Sequence, residues 1–153
     1  MAQTLIASNR RANYDYEILE TVEAGLVLQS SEIKSIRDNR VNLAGSYAFP
    51  SNGEIWLHNA HIAPYPYSRA ENHHPLRSRK LLLKKQELRK YTSAAQQKGY
   101  SIVPLKLYIS GHYAKITIGI GRGKRQYDKR KAIMEKERSR EAKDAIKRNL
   151  QQK

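Results

Sequence analysis

Ile102-Val103-Pro104-Leu105-Lys106-Leu107-Tyr108-Ile109-Ser110-Gly111-His112-Tyr113-Ala114-Lys115-Ile116-Thr117-Ile118-Gly119-Ile120 decides the fold of this 153-residue chain. In its first half Ile102, Pro104 and Lys106 alternate with Val103, Leu105, Leu107 and Ile109. In its second half Lys115 and Thr117 alternate with Ile116, Ile118 and Ile120. A period of two means strand, and Gly111-His112 between the runs makes a tight turn, so the stretch predicts an antiparallel hairpin.

Upstream, Pro50-Ser51-Asn52-Gly53 is a strong turn signal between two short strands at 46–49 and 54–58, a second hairpin. Tyr14, Tyr16 and Ile18 alternate as on one strand face, and Ala24-Gly25 turns the chain before Leu26-Val27-Leu28. Ser30 or Ser31 can cap a short helix over 32–37, with Ile33 and Ile36 on one side. Pro64-Tyr65-Pro66-Tyr67 opens a loop that runs to Pro75. Ser78 caps the longest predicted helix, 79–98, which Gly99 ends. In that helix Leu81, Leu88, Tyr91 and Ala95 share a stripe, and Leu82 and Leu83 fall outside it.

About six short strands with turns at small intervals favour a mainly β fold: a closed or nearly closed antiparallel barrel of the oligonucleotide-binding type, with two or three helices. The length allows one domain with a real core. We expect a flexible arm at 1–13, the barrel at 14–121 and a basic tail at 122–153. Gly119, Gly121 and Gly123 read as a loose joint between barrel and tail.

Charge points to a polyanion. The net charge is +15; residues 1–120 carry 16 basic and 9 acidic side chains, and residues 121–153 carry 13 and 5. The last fifth of the chain thus holds half of the excess, as a nucleic-acid partner would favour. A membrane partner is disfavoured, because no apolar run approaches the ~20 residues that span a bilayer. No export signal is evident, so a cytoplasmic location is expected; the chain is also expected to be a monomer.

Seven bases (Arg77, Arg79, Lys80, Lys84, Lys85, Arg89 and Lys90) surround the leucines, with Glu87 as the local acid. That run predicts a phosphate-contacting face. Of ten tyrosines most suit half-buried strand positions; Tyr127, inside the cationic run, is suited to stacking on a base. Ala142, Ile146 and Leu150 recur at i, i+4, and Asp144 and Arg148 can pair. The tail is expected to be disordered alone and helical on a polyanionic surface.

Other chemistries find little support. Ile118 and Arg125 stand where a phosphate-binding Walker loop needs Gly and Ser or Thr. There is no cysteine; of His58, His61, His73, His74 and His112, the pair His58 and His61 is spaced i, i+3, but in a strand or loop that puts them on opposite faces, and no nearby acid cluster completes a metal site. No catalytic residue, metal or cofactor is assigned.

Together these residues resemble the family of SsrA-binding proteins, also called small protein B. The similarity runs through Asn9-Arg10-Arg11-Ala12, Glu23-Ala24-Gly25-Leu26, Glu32-Ile33-Lys34-Ser35-Ile36-Arg37 and Arg40-Val41-Asn42-Leu43. It continues in Arg79-Lys80-Leu81-Leu82-Leu83, Val103-Pro104-Leu105-Lys106-Leu107-Tyr108, Gly123-Lys124 and Tyr127-Asp128-Lys129-Arg130. Asn39 departs from the pattern, where Gly is common. The resemblance implies a non-enzymatic adaptor that binds transfer-messenger RNA and enters stalled ribosomes with it. The tail then lies in the decoding centre and the empty messenger channel, against small-subunit ribosomal RNA.

Carried over position by position, it places RNA contacts at Glu23, Leu82 and Lys115. Arg77, Arg79, Lys80, Lys84, Lys124 and Arg125 are added as basic RNA-binding residues. Tyr127, Asp128, Lys129, Arg130 and, further along, Ile146 are the expected decoding-centre and tail residues. Composition alone leaves a structural ribosomal protein as an alternative, and a His-dependent nuclease as a more distant one.

Overall fold

The computed structural model describes residues 3–68 and 72–124. In chain order these form β1 (Gln3–Ser8), α1 (Arg10–Asp15), β2 (Tyr16–Leu26), α2 (Ser30–Arg37), β3 (Val41–Asn42), β4 (Tyr47–Ser51) and β5 (Glu54–His58). β6 (His61–Ile62), β7 (Arg79–Leu82), α3 (Lys85–Ala95), β8 (Tyr100–Ser110) and β9 (Tyr113–Gly123) follow. The main sheet runs β1-β8-β4-β5-β7-β2-β9, and β8 also pairs with β9. That pairing closes β8, β4, β5, β7, β2 and β9 into a six-stranded antiparallel ring, with β1 added on β8; β3 and β6 form a separate small ribbon.

Both expected hairpins are present. Ser110 pairs with Tyr113 across Gly111-His112, and positive φ at Gly111 (62°) fits a turn with Gly at its first central position. In the other turn both Asn52 (φ 53°) and Gly53 (φ 76°) are left-handed, the geometry that Asn-Gly favours. The alternation of β9 sends Ile116, Ile118 and Ile120 into the core, where they meet Ile102, Leu107, Ile55, Leu57 and Leu81. Ile36 of α2 and Tyr91 of α3 join that cluster.

α2 begins at a capping box between Gln29 and Glu32. It ends with Asn39 N–H bonded to Ile36 O and Arg40 N–H bonded to Ser35 O, with Asn39 at φ 60°. Those two bonds are a Schellman closure, and Asn is among the few residues besides Gly that tolerate the left-handed position. The departure at Asn39 is therefore accommodated.

Three expectations fail. The segment expected as a mobile arm holds a strand and a helix: Gln3 to Ser8 pair with β8, and buried Asn9 donates its N–H to Leu105 O and its Nδ2 to Pro104 O. The helix expected over 79–98 starts only at Lys85. Residues 79–82 are strand β7, with Arg79 and Leu81 inward and Lys80 and Leu82 outward. Three successive leucines fit no helical stripe; alternation across the sheet places Leu81 inward and Leu82 outward, and Leu83, just past the strand, packs partly buried against the core.

The third failure concerns the glycine joint. Gly119, Gly121 and Gly123 belong to β9, paired to β2 as far as Tyr16–Gly123. At two of them the role is close approach: a Cβ on Gly121 would lie 2.9 Å from Tyr16 Cβ, and one on Gly119 would lie 3.1 Å from Glu20 O, whereas Gly123 stands in open space. Gly121→Ala is expected to cost roughly 1–3 kcal/mol through overpacking, read as a lower midpoint in urea unfolding.

Candidate nucleic-acid interface

Gly25 of β2 pairs with Leu82 of β7 on one side and with Lys115 of β9 on the other. Register alone therefore brings Glu23, Leu82 and Lys115 to one patch on the outside of the ring. Glu23 sits two residues before Gly25 and so on the same face. Lys115 Nζ lies 3.2 Å from Glu23 Oε1. Leu82 is 51% exposed, a large apolar side chain left in solvent beside this ion pair. Gly25, Leu26, Leu28, Ile33, Leu82, His112, Tyr113, Ala114 and Lys115 line a cleft of about 550 Å³ there.

The carboxylate of Glu23 has a second partner, the Tyr108 hydroxyl of β8, which donates to Oε2. Hydrogen bonds from Tyr108 and Lys115 hold the Glu23 carboxyl below its ordinary value. Burial and the neighbouring Glu23 push the Tyr108 phenol up to about 12, so it remains a donor at neutral pH. Tyr108 was not among the expected site residues. Its place could be read from the hairpin, because a two-residue turn at Gly111-His112 sets Tyr108 opposite Lys115.

The expected basic face is differently arranged. Arg79 is fully buried and therefore not a surface phosphate contact, a correction with a clear cause. Its Nε donates to Glu32 Oε2 at 2.6 Å, its Nη1 to Ala60 O at 2.6 Å and its Nη2 to Pro75 O at 3.1 Å. Arg77 Nη2 donates to Glu32 Oε1 at 2.5 Å, so this guanidinium is also committed inward. Lys80 reaches Glu54 at 3.5 Å, and Lys90 reaches Glu20 at 2.6 Å. The acids that balance the run come from β2, α2 and β5, far away in sequence, which a local count of charges misses.

Lys84, just before α3, is exposed, and Lys124 is half-buried at the end of the described residues. Arg125, Tyr127, Asp128, Lys129, Arg130 and Ile146 lie outside the described residues. Among the described residues no helix is long and apolar enough to cross a membrane, and no group of three His, Asp or Glu is placed to hold a metal ion.

The patch thus offers a fixed carboxylate, an ammonium and an exposed apolar side chain, framed by His112 and Tyr113. Each group has a chemistry that RNA can use: a carboxylate can accept from base amino groups or ribose hydroxyls, an ammonium can meet phosphate, and an apolar surface can pack on a base.

The SsrA-binding protein of Listeria welshimeri is 52% identical over 147 residues, covering 96% of each chain. That of Bacillus cytotoxicus is 53% identical over 137 residues, covering 90% of this chain and 88% of its own. A chain in the solved structure described as "tmRNA-SmpB: a journey to the center of the bacterial ribosome" superposes with a TM-score of 0.68 at 46% identity. The match covers 85% of this chain and 94% of that one. The family model for SmpB protein matches residues 6–148, so on sequence and architecture alike this chain belongs to the SmpB protein family.

Proposed function

We propose that this chain is an RNA-binding adaptor for ribosome rescue. It binds the tRNA-like domain of transfer-messenger RNA and delivers it to stalled ribosomes, where translation switches to the RNA's own reading frame and the nascent peptide is tagged for degradation. The observation that carries this reading is the convergence of Glu23, Leu82 and Lys115 at Gly25, in a chain close in sequence to a protein seen with transfer-messenger RNA on the ribosome. The barrel holds the RNA without chemistry of its own, in the cytoplasm. The tail from Lys124 onward occupies the decoding centre and the vacant messenger channel, with Tyr127 stacking there and Lys124, Arg125, Lys129 and Arg130 meeting RNA phosphates.

Binding to the tRNA-like domain, to an ordinary tRNA and to duplex RNA tests the assignment. The first should be clearly preferred; equal affinity for all three would leave only a basic barrel. With about 6–10 phosphate contacts, affinity should also fall by roughly 10³–10⁵ between about 50 and 200 mM salt. A salt-insensitive affinity would overturn the phosphate contacts.

A further inference from the structure

We propose that Tyr108 is a positioning residue for RNA recognition: its hydroxyl, together with Lys115, clamps the Glu23 carboxylate so that its remaining acceptor sites meet donor groups of the RNA. The proposal rests on the reading of Glu23 as an RNA contact and adds the element that makes that contact specific.

Three observations support it. The first is reach. Glu23 lies on β2 and Tyr108 on β8, with β9 between them, so the tyrosine spans an intervening strand to touch the carboxylate. Tyr108 is only 8% exposed and pairs in register with Leu5 on one side and Lys115 on the other, which fixes the ring from which the hydroxyl projects.

The second is the division of the carboxylate. Lys115 takes Oε1 and Tyr108 takes Oε2. A carboxylate has about four acceptor sites, so one direction on each oxygen is used by the protein and one remains. A glutamate on an exposed strand samples many rotamers; one held at both oxygens presents a fixed pair of acceptors and loses less entropy when RNA arrives.

The third is charge. A bare carboxylate repels a phosphate backbone. Neutralised by Lys115 and hydrogen-bonded by Tyr108, it approaches RNA as a polar acceptor and not as an isolated anion. Tyr108 itself has no contact to make with phosphate in this arrangement, because its hydroxyl is spent on Glu23.

The test is a double-mutant cycle on the full-length chain, with a transcript of the tRNA-like domain as the probe. Tyr108→Phe keeps the buried ring and removes only the hydroxyl. It should weaken binding roughly tenfold, the effect of one hydrogen bond to a charged group. In a Glu23→Ala background the same change should have no effect, and its salt dependence should match the parent's because no phosphate contact is lost. A carbon-detected titration of the Glu23 carboxyl in the free protein supplies a readout independent of RNA: in Tyr108→Phe the midpoint should move up.

Equal weakening in both backgrounds would assign Tyr108 to general packing and overturn the proposal, as would unchanged affinity of Tyr108→Phe alone. If Glu23→Ala by itself binds as tightly as the parent, the RNA contact at Glu23 is what fails. If Glu23→Ala weakens binding and Tyr108→Phe does not, only the positioning role fails.

Discussion

Glu32→Ala should lower the unfolding free energy by about 3–5 kcal/mol, as much as truncating a large core side chain. Glu32 and Arg79 are both 0% exposed. The carboxylate accepts from Arg79 Nε, from Arg77 Nη2 and from the Gln29 N–H at 2.8 Å. Removing it strands the Arg79 guanidinium in the interior without a countercharge. A domain of this size has about 5–15 kcal/mol in all, so the variant should be marginal at 37 °C. Urea unfolding measures the change, and a loss below about 1 kcal/mol would mean that the carbonyls of Ala60 and Pro75 suffice to hold the cation. Arg79→Met combined with Glu32→Ala should recover much of the loss, because it removes the stranded charge.

The same cluster sets a response to acid. Burial of Glu32 disfavours its charged form, but bonds from Arg77, Gln29 and Arg79 outweigh that and hold its carboxyl below the ordinary value. A depressed carboxyl stabilises the fold above its unfolded value of ~4.3, and that contribution fades as pH falls through the folded value. The fold should therefore lose stability on acidification below ~pH 4, and Glu32→Ala should flatten that part of the profile.

Deleting residues 131–153 should abolish peptide tagging while leaving the affinity for transfer-messenger RNA near that of the full chain. Glu23, Leu82, Lys115 and Tyr108 all belong to the ring of strands and survive the deletion. The removed stretch is rich in bases and carries the i, i+4 apolar positions Ala142, Ile146 and Leu150. On the proposed function it occupies the empty messenger channel, so its loss leaves the RNA delivered but not accepted. Tagging by stalled ribosomes in a purified translation system is the measurement, with binding to the tRNA-like domain alongside. Loss of RNA binding in the truncated chain would make the tail the main docking surface.

What could be read from the sequence was local. The hairpins at Asn52-Gly53 and Gly111-His112 carry their turn residues and their alternation within about twenty residues, so both were expected where they occur. β1 was not, because the apolar residues Leu5, Ile6 and Ala7 are consecutive and show no alternation, and the segment gains its order from β8, some hundred residues later. Arg79-Lys80-Leu81-Leu82 read as helix because it adjoins one, and its strand character comes from pairing with β5 and β2. The same holds for the site. Leu82 fell outside the helical stripe and is exposed, but strand alternation is the cause. Glu23 could not be chosen on chemistry, since a lone carboxylate argues against RNA; it needs Lys115 and Tyr108 beside it, and only the closed ring supplies both.

Strand β9 has a consequence of another kind. It carries Lys115 near its start and is paired to β2 through to Gly123, with the backbone at Gly121 pressed against Tyr16. Eight residues of extended chain at about 3.4 Å each make a gauge of about 27 Å. The protein thus contains a measured interval between the patch proposed to meet RNA and the residue where the strand gives out. Glycines set tightly into a sheet keep that interval constant, where glycines in a loose joint would have let it vary.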